Sequence, residues 1–283
     1  MKKPRIGFIG QGYVGKNYAD NFEARGYTVV RYAKEKPYNK NKDAIKDCEV
    51  VFIAVPTPTT PKGYDASIIR RVLPLTGIGK TVVLKSTIFP GLTEKIQEEF
   101  PDRIVINSPE FLSEATANYD ASHPFVNIVG IAKETSEHKK AAALVHSILP
   151  KAPANFTMKS IEAEIIKYSH NCSGYTQIIF FNIMYDLSQK MGANWETIEE
   201  AIKVDPFIPT RYATPLHKSG RGAGGHCFIK DFAALREVYE KMVADQSGVS
   251  ILQSMEKKNI ELLYSSGKDV KILEGVYNIS KDK

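Results

Sequence analysis

Apolar residues along this chain keep two rhythms. Through the first half they form short strand-like runs: Ile6-Gly7-Phe8-Ile9, Thr28-Val29-Val30-Arg31-Tyr32, Val50-Val51-Phe52-Ile53-Ala54-Val55, Thr81-Val82-Val83-Leu84, Ile104-Val105-Ile106 and Asn127-Ile128-Val129, most of them unbroken by polar residues. Runs without alternation predict strands covered on both faces, as in a parallel sheet. Helical patterns separate them: after Gly10-Gln11-Gly12-Tyr13-Val14-Gly15 to about Arg25, Asp65 to Leu73 behind an Asp cap, Thr93 to Glu99, and Glu134 to Leu149. Pro150 and Pro153 mark a change of character. After Ser160, read as a cap, the pattern stays helical: Glu162 to Met191, Trp195 to Lys203 behind Asn194, Phe228 to Tyr239, and Gln246 to Ser266. The pattern predicts an α/β chain: an N-terminal Rossmann-like, doubly wound parallel sheet over residues 1–155, then an all-helical domain over 156–270 with a long central helix. A charged tail, 271–283, has little to bury.

Composition narrows the class without naming a chemistry. The chain has 283 residues, 43% hydrophobic and 25% charged, as expected of a globular protein with a real core. No apolar run is long enough to span a bilayer, and Met1-Lys2-Lys3-Pro4 leads into a run too short for a signal-peptide core. Three widely spaced cysteines, Cys48, Cys172 and Cys227, argue against a disulfide framework and for a reducing, cytoplasmic setting. The net charge of +6 is scattered over loops and termini, which points away from nucleic acid and membrane partners. No Cys/His spacing suggests a metal.

Two stretches carry candidate chemistry. The first, Gly10-Gln11-Gly12-Tyr13-Val14-Gly15, stands between a strand and a helix, the context in which GxGxxG signifies dinucleotide binding. The acid that should end the second strand and bind the ribose is missing. Tyr32, Ala33 and Lys34 stand there, and Arg31 or Lys34 could meet a 2′-phosphate, so NADP stays open beside NAD. The second stretch runs from Gly220 to Asp231. Four glycines in six positions make a loop whose backbone can approach a ligand, and Cys227 follows near a helix N-terminus, which favours thiolate. Asp231 lies one turn on, where a carboxylate could handle water or a proton. A buried structural cysteine is the alternative. Lys167 and Asn171, at i and i+4, project from one face of the long helix. Glu110 and Glu114 lie beyond the end of the fifth strand.

With these pieces in order, the chain resembles the UDP-glucose/GDP-mannose 6-dehydrogenase family over roughly residues 4 to 262. Besides the glycine turn, the matches are Val55-Pro56-Thr57-Pro58, Ser86-Thr87, Pro109-Glu110-Phe111-Leu112, Ala163-Glu164 with Lys167 and Asn171, and Gly224 to Asp231. The resemblance implies oxidation of a nucleotide-sugar C6 alcohol to a carboxylate by two NAD molecules in turn, UDP-glucose foremost. It makes Cys227 the nucleophile, Asp231 its partner in base chemistry and hydrolysis, Lys167 and Asn171 oxyanion donors, and Thr87 and Glu114 water-orienting groups. Glu110, Phe111, Leu112, Gly224 and Lys230 would meet the substrate. Gly10, Gly12, Tyr13, Val14, Gly15, Lys34, Val55, Pro56, Thr57, Ser86 and Thr87 would meet the cofactor. It also implies a homodimer through the helix at 160–190. Departures stand at Val126, Phe207 and Gln177, where the family has basic residues, and the resemblance stops before the family's third domain, so a short form is expected. Two rivals keep the cofactor: a dehydrogenase of a smaller alcohol or sugar phosphate, and a non-catalytic dinucleotide-binding remnant.

Overall fold

A computed structural model of the chain describes residues 3–218 and 220–279. Met1, Lys2 and the last four residues of the expected tail lie outside the described residues, as does Ser219. The chain divides into two units. The first runs up to Thr57 and again from Asp65 to Lys167; the second joins Pro58–Tyr64 to the chain from Tyr168 onward.

The first unit begins β1 (Ile6–Ile9), α1 (Tyr13–Ala24), β2 (Val29–Tyr32) and, after a 3-10 stretch at Tyr38–Asp47, β3 (Val50–Ile53). Two short strands, β4 (Thr59–Thr60) and β5 (Gly63–Tyr64), form an antiparallel hairpin that belongs to the second unit. Then come α2 (Ser67–Val72), β6 (Thr81–Leu84), α3 (Leu92–Glu99), β7 (Ile104–Asn107), α4 (Ala117–Ser122), β8 (Val126–Ile131), α5 (Ser136–Ile148) and β9 (Ala154–Lys159). Seven strands form one sheet in the order β2-β1-β3-β6-β7-β8-β9. All six expected strands are present, and β1, β3 and β6 are buried along their whole length, as unbroken apolar runs require. The rings of Phe8, Phe22 and Phe52 pack on one another at centroid distances of 4.9 to 5.5 Å, each pair adding about 0.5–1.5 kcal/mol beyond its buried area.

Four features differ from the sequence expectation. The sheet is parallel except where β8 runs against β7, pairing only through Ile106–Ile131 and Asn107–Gly130. A seventh strand, β9, lies beyond β8. Its Phe156 is half exposed, and an edge strand with one solvated face leaves no apolar run to read. Ser160 does not cap: the long helix α6 (Ser160–Lys190) starts at that residue, its buried hydroxyl has no hydrogen-bond partner among the described residues, and the Glu162 carboxylate instead accepts from Lys159 N at 2.9 Å. The first turn of α6 presses on β8, because a Cβ on Gly130 would lie 2.8 Å from Ser160 Cα. Asp65, expected as the cap of α2, sits one residue ahead of the N-cap position at Ala66 and accepts from Ser67 N at 2.7 Å.

The second unit contains most of α6 and the helices α7 (Trp195–Lys203), α8 (Gly225–Met242), α9 (Gln246–Ser266) and α10 (Val270–Tyr277), with a small hairpin of β10 (Leu216–His217) and β11 (Gly220–Arg221). Asn194 caps α7 as its sequence predicts, accepting from Glu196 N at 2.8 Å. Tyr175 and Phe232 stack at 3.8 Å between α6 and α8 in the middle of its core. The expected tail is not a tail over its described part. In α10, Leu273 and Val276 are buried with Ile229 and Ala233 of α8 and Leu263 of α9. Val270, Leu273, Val276 and Tyr277 follow helical spacing, a signal overshadowed by the flanking lysines.

Candidate active site

In the first unit the sheet order reverses at β1, so the C-terminal ends of β1 and β3 open a crevice, the usual ligand position in such sheets. The glycine turn fills the crevice mouth, and each glycine has a distinct necessity. Gly10 has φ +93°, and a Cβ there would lie 2.2 Å from Ala54 O. A Cβ on Gly15 would lie 2.0 Å from Gly10 O, so the third glycine lets α1 pack on the strand turn. Around Gly12 a Cβ would meet nothing within 4 Å. The chain's own packing therefore demands the first and third glycines but not the second. Open backbone at Gly12, at the N-terminus of α1, is what close approach of a pyrophosphate needs. These residues fit a dinucleotide.

Neighbouring segments line up with the turn. Val55 N donates to Ser86 Oγ at 3.0 Å, Ser86 Oγ donates to Val55 O at 2.7 Å, and Thr57 Oγ1 donates to Thr87 O at 2.7 Å. The segments after β3 and β6 are thereby tied together, with Pro56 exposed and Val55 and Thr87 partly so. Tyr13 is exposed and Val14 packs against the core. Arg31 does not await a 2′-phosphate. Its guanidinium is held by Asp20 at 2.6 Å and Glu23 at 2.7 Å, both from α1. Lys34 is exposed just past β2.

The same unit holds a buried charged cluster beyond β6 and β7. Lys167, 4% exposed, donates to Glu110 O at 2.6 Å and lies 3.0 Å from Glu110 Oε1. Leu112 N donates to Glu110 Oε2 at 2.7 Å, and the Lys167 ammonium stands 5.4 Å from the Phe111 ring centroid. Burial alone would raise the Glu110 carboxyl, but Lys167 and the Leu112 amide hold it below the ordinary carboxylate range. Glu110, Phe111, Leu112 and Lys167 are thus brought together, whereas Glu114 lies exposed in the segment leading to α4. One member of the cluster escaped sequence reasoning: Lys85, buried at the end of β6, donates to Ser108 Oγ at 3.1 Å. A lysine closing an apolar strand was the available signal. Glu164, also buried, accepts from Thr93 N at 2.9 Å and from Gly91 N and Thr93 Oγ1, and so caps α3.

In the second unit Cys227 is exposed in the first turn of α8, at the helix end that favours a thiolate. One turn on, Asp231 is buried, with Asn171 Nδ2 donating to Oδ2 at 2.6 Å and Lys230 Nζ donating to Oδ1. The hairpin β4–β5 lies against the same helix, with Thr59 Oγ1 donating to Lys230 O at 3.0 Å. The glycine loop is a different object from the one expected. Lys268 Nζ donates to Gly222 O at 2.9 Å, Ala223 N to Asn259 Oδ1 at 2.7 Å, and Gly225 N to Asp269 Oδ2 at 2.7 Å. A Cβ on Gly224 would lie 2.1 Å from Asp269 Oδ2. The loop's glycines admit the chain's own α9–α10 corner, and Asp269 fills the room that a side chain at Gly224 would take. Among the described residues no group of His, Cys, Asp and Glu could hold a metal, and no helix is long and apolar enough to cross a membrane.

Comparison with known proteins gives this geometry a family. The NAD binding domain of the UDP-glucose/GDP-mannose dehydrogenase family matches residues 35–149, and the central domain of that family matches residues 161–261. Among relatives, the UDP-glucose 6-dehydrogenase of Rickettsia felis is 30% identical over 298 residues, covering 90% of this chain and 64% of that protein. The UDP-glucose 6-dehydrogenase of Streptococcus pneumoniae is 30% identical over 234 residues, 76% of this chain and 58% of that one. A UDP-glucose dehydrogenase structure from Pyrobaculum islandicum shares the fold, with a TM-score of 0.77 at 24% identity over 93% of this chain and 71% of that chain. The chain spans about half to two thirds of the length of the first relatives it matches. With the family's NAD binding domain matched over residues 35–149 and its central domain over 161–261, the chain belongs to the UDP-glucose/GDP-mannose dehydrogenase family and has NAD as its cofactor.

Proposed function

We propose that this chain carries the chemistry of a nucleotide-sugar 6-dehydrogenase, oxidising a sugar C6 alcohol to a carboxylate, with UDP-glucose the first substrate to try. The observation that carries the reading is the buried Asn171–Asp231 pair one helical turn beyond an exposed Cys227. A carboxylate buried on a neutral amide and a lysine is costly unless it serves a purpose, and a cysteine in a first helical turn is a poor choice for mere packing. Bound NAD supplies the two-electron acceptor, one molecule per oxidation. The alcohol first becomes an aldehyde. Cys227 sulfur then adds to the aldehyde carbon, and the oxygen takes a proton to give a thiohemiacetal. The second oxidation leaves a thioester. Water, with Asp231 taking its proton, cleaves the carbon–sulfur bond and releases the carboxylate and the thiol. Lys167 and Asn171 are the donors to the oxygen that gathers charge, Thr87 and Glu114 orient water, and Glu110 to Leu112 with Lys230 meet the sugar.

The division into a cofactor domain, a helical domain with the cysteine loop and a C-terminal segment is part of this reading, as is a homodimer. Phe180, Ile183 and Leu187 on α6 and Met191 just past its end are 54%, 48%, 49% and 76% exposed at spacings of three and four, an uncovered apolar stripe that a second copy would bury. A cytoplasmic setting would keep Cys227 reduced. Purified protein given NAD and UDP-glucose, GDP-mannose or UDP-N-acetyl sugars should form two NADH per carboxylate, and Cys227→Ser should stop complete turnover. One NADH per product would favour a single oxidation of the alcohol, and cofactor binding without turnover on any of these sugars would sink the proposal.

A further inference from the structure

Beneath the segment that holds Lys167 lies a second lysine to which the reading above gives no task. Lys85 directly follows β6, with 3% of its surface exposed. Its ammonium donates to Ser108 Oγ at 3.1 Å and to Pro109 O at 3.4 Å, and it stands 4.5 Å from the centroid of the Tyr18 ring on α1. The next carbonyl along, Glu110 O, is the acceptor that Lys167 grips from α6. Two ammonium groups from different elements therefore clasp consecutive residues of one strand-end segment. Lysine is a costly way to fill an interior position, since a leucine or methionine would pack as well without desolvating a charge.

We propose that Lys85 is a positioning residue, which fixes the Ser108–Pro109 turn from below so that the carbonyl and carboxylate of Glu110 hold the Lys167 ammonium in place. The proposal rests on the reading of Lys167 as an oxyanion donor for its catalytic consequence, but not for its structural one. The geometry has a direct logic. A strand end followed by Pro109 cannot continue in the sheet, because proline lacks the amide to do so. Something other than ladder hydrogen bonds must set the turn, and the two acceptors of Lys85 are on it. The charged and titratable groups facing Lys85 are Glu110 and Lys167, with the Tyr18 phenol packed alongside. Burial pushes Lys85 down to about 7, Glu110 opposing the shift and Lys167 adding to it. Lys85 can thus lose its proton near neutrality.

The test uses Lys85→Met and Lys85→Arg in the intact chain, with Ser108→Ala as a milder variant that removes one acceptor and leaves both lysines. Amine acylation with acetic anhydride, read peptide by peptide by mass spectrometry, reports how well Lys167 is held and needs no turnover. Lys167 labelling is expected to rise several-fold in Lys85→Met, less in Ser108→Ala, and to return toward the native rate in Lys85→Arg, which keeps the donors. With an active sugar nucleotide, Lys85→Met should lower kcat by roughly 10- to 100-fold with little change in KM, the size expected when a reacting group is displaced by about an ångström. Native-rate labelling of Lys167 in a folded Lys85→Met, or in Ser108→Ala where Lys85→Met does not fold, overturns the proposal. An inactive wild type with the labelling pattern intact would instead overturn the dehydrogenase reading and leave the clasp standing.

Discussion

Asn171 Nδ2 donates to Asp231 Oδ2 across 2.6 Å in the interior of the helical unit, joining α6 to α8, the helix with Cys227 in its first turn. Among the described residues, Lys230 is the further side-chain partner of Asp231. Removing the amide in Asn171→Ala should therefore cost about 1.5–3 kcal/mol, the usual worth of a hydrogen bond to a buried charge. Urea unfolding measures that loss. If Asn171 also serves the reaction, NADH formation should fall far more than the lost stability explains.

The glycine turn offers a sharper separation. Gly12→Ala places a methyl group in open space, so the melting temperature without ligand should stay within a degree or two. The stabilisation given by added NAD should disappear, because the methyl stands where the pyrophosphate must approach. Gly15→Ala drives its methyl into Gly10 O and should lower the melting temperature before any ligand is added. Equal behaviour of the two variants in a thermal-shift series would contradict the roles assigned here.

Lys85 makes stability depend on pH in a defined direction. Its folded pKa lies near 7, whereas an unfolded lysine titrates near ~10.4. Between those values the unfolded chain binds the extra proton, so stability rises with pH across that window and is flat in this respect below it. Urea midpoints measured from pH 7 to 9.5 should climb more steeply in the wild type than in Lys85→Met. Parallel curves would mean that Lys85 stays charged when folded.

The apolar stripe on α6 can be tested without any substrate. Ile183→Glu with Leu187→Lys puts charges where Phe180 and Met191 would otherwise be covered. Sedimentation should show the wild type as a dimer and the double variant as a monomer with an unchanged helical circular dichroism signal. A monomeric wild type at micromolar concentration would refute the interface.

How far these features could be read in advance depended on what holds each one. β1, β3 and β6 are buried on both sides, so sequence alone has to make them apolar and they are legible. β9 carries Phe156 outward and polar neighbours on an edge, and nothing local distinguishes it from a loop. The eight residues of α10 are helical because Leu273 and Val276 meet α8 and α9, a fact that resides in those helices. The same holds at the site. Motif and resemblance name Glu110, Lys167, Asn171 and Asp231 but not which of them touch, and a lysine closing an apolar strand marks Lys85 without showing its acceptors, which lie more than twenty residues away. The glycine loop shows the limit in reverse. Its composition was read as openness toward a ligand, whereas Asn259, Lys268 and Asp269 occupy the room those missing side chains leave.

That corner makes the cysteine helix answerable to residues some forty positions downstream. Gly224 can accept a methyl group only if Asp269 gives up its carboxylate, so the two should tolerate change jointly and resist it singly. Gly224→Ala combined with Asp269→Gly should fold where Gly224→Ala alone does not, and any reshaping of the ground around Cys227 would have to begin with the α9–α10 bend.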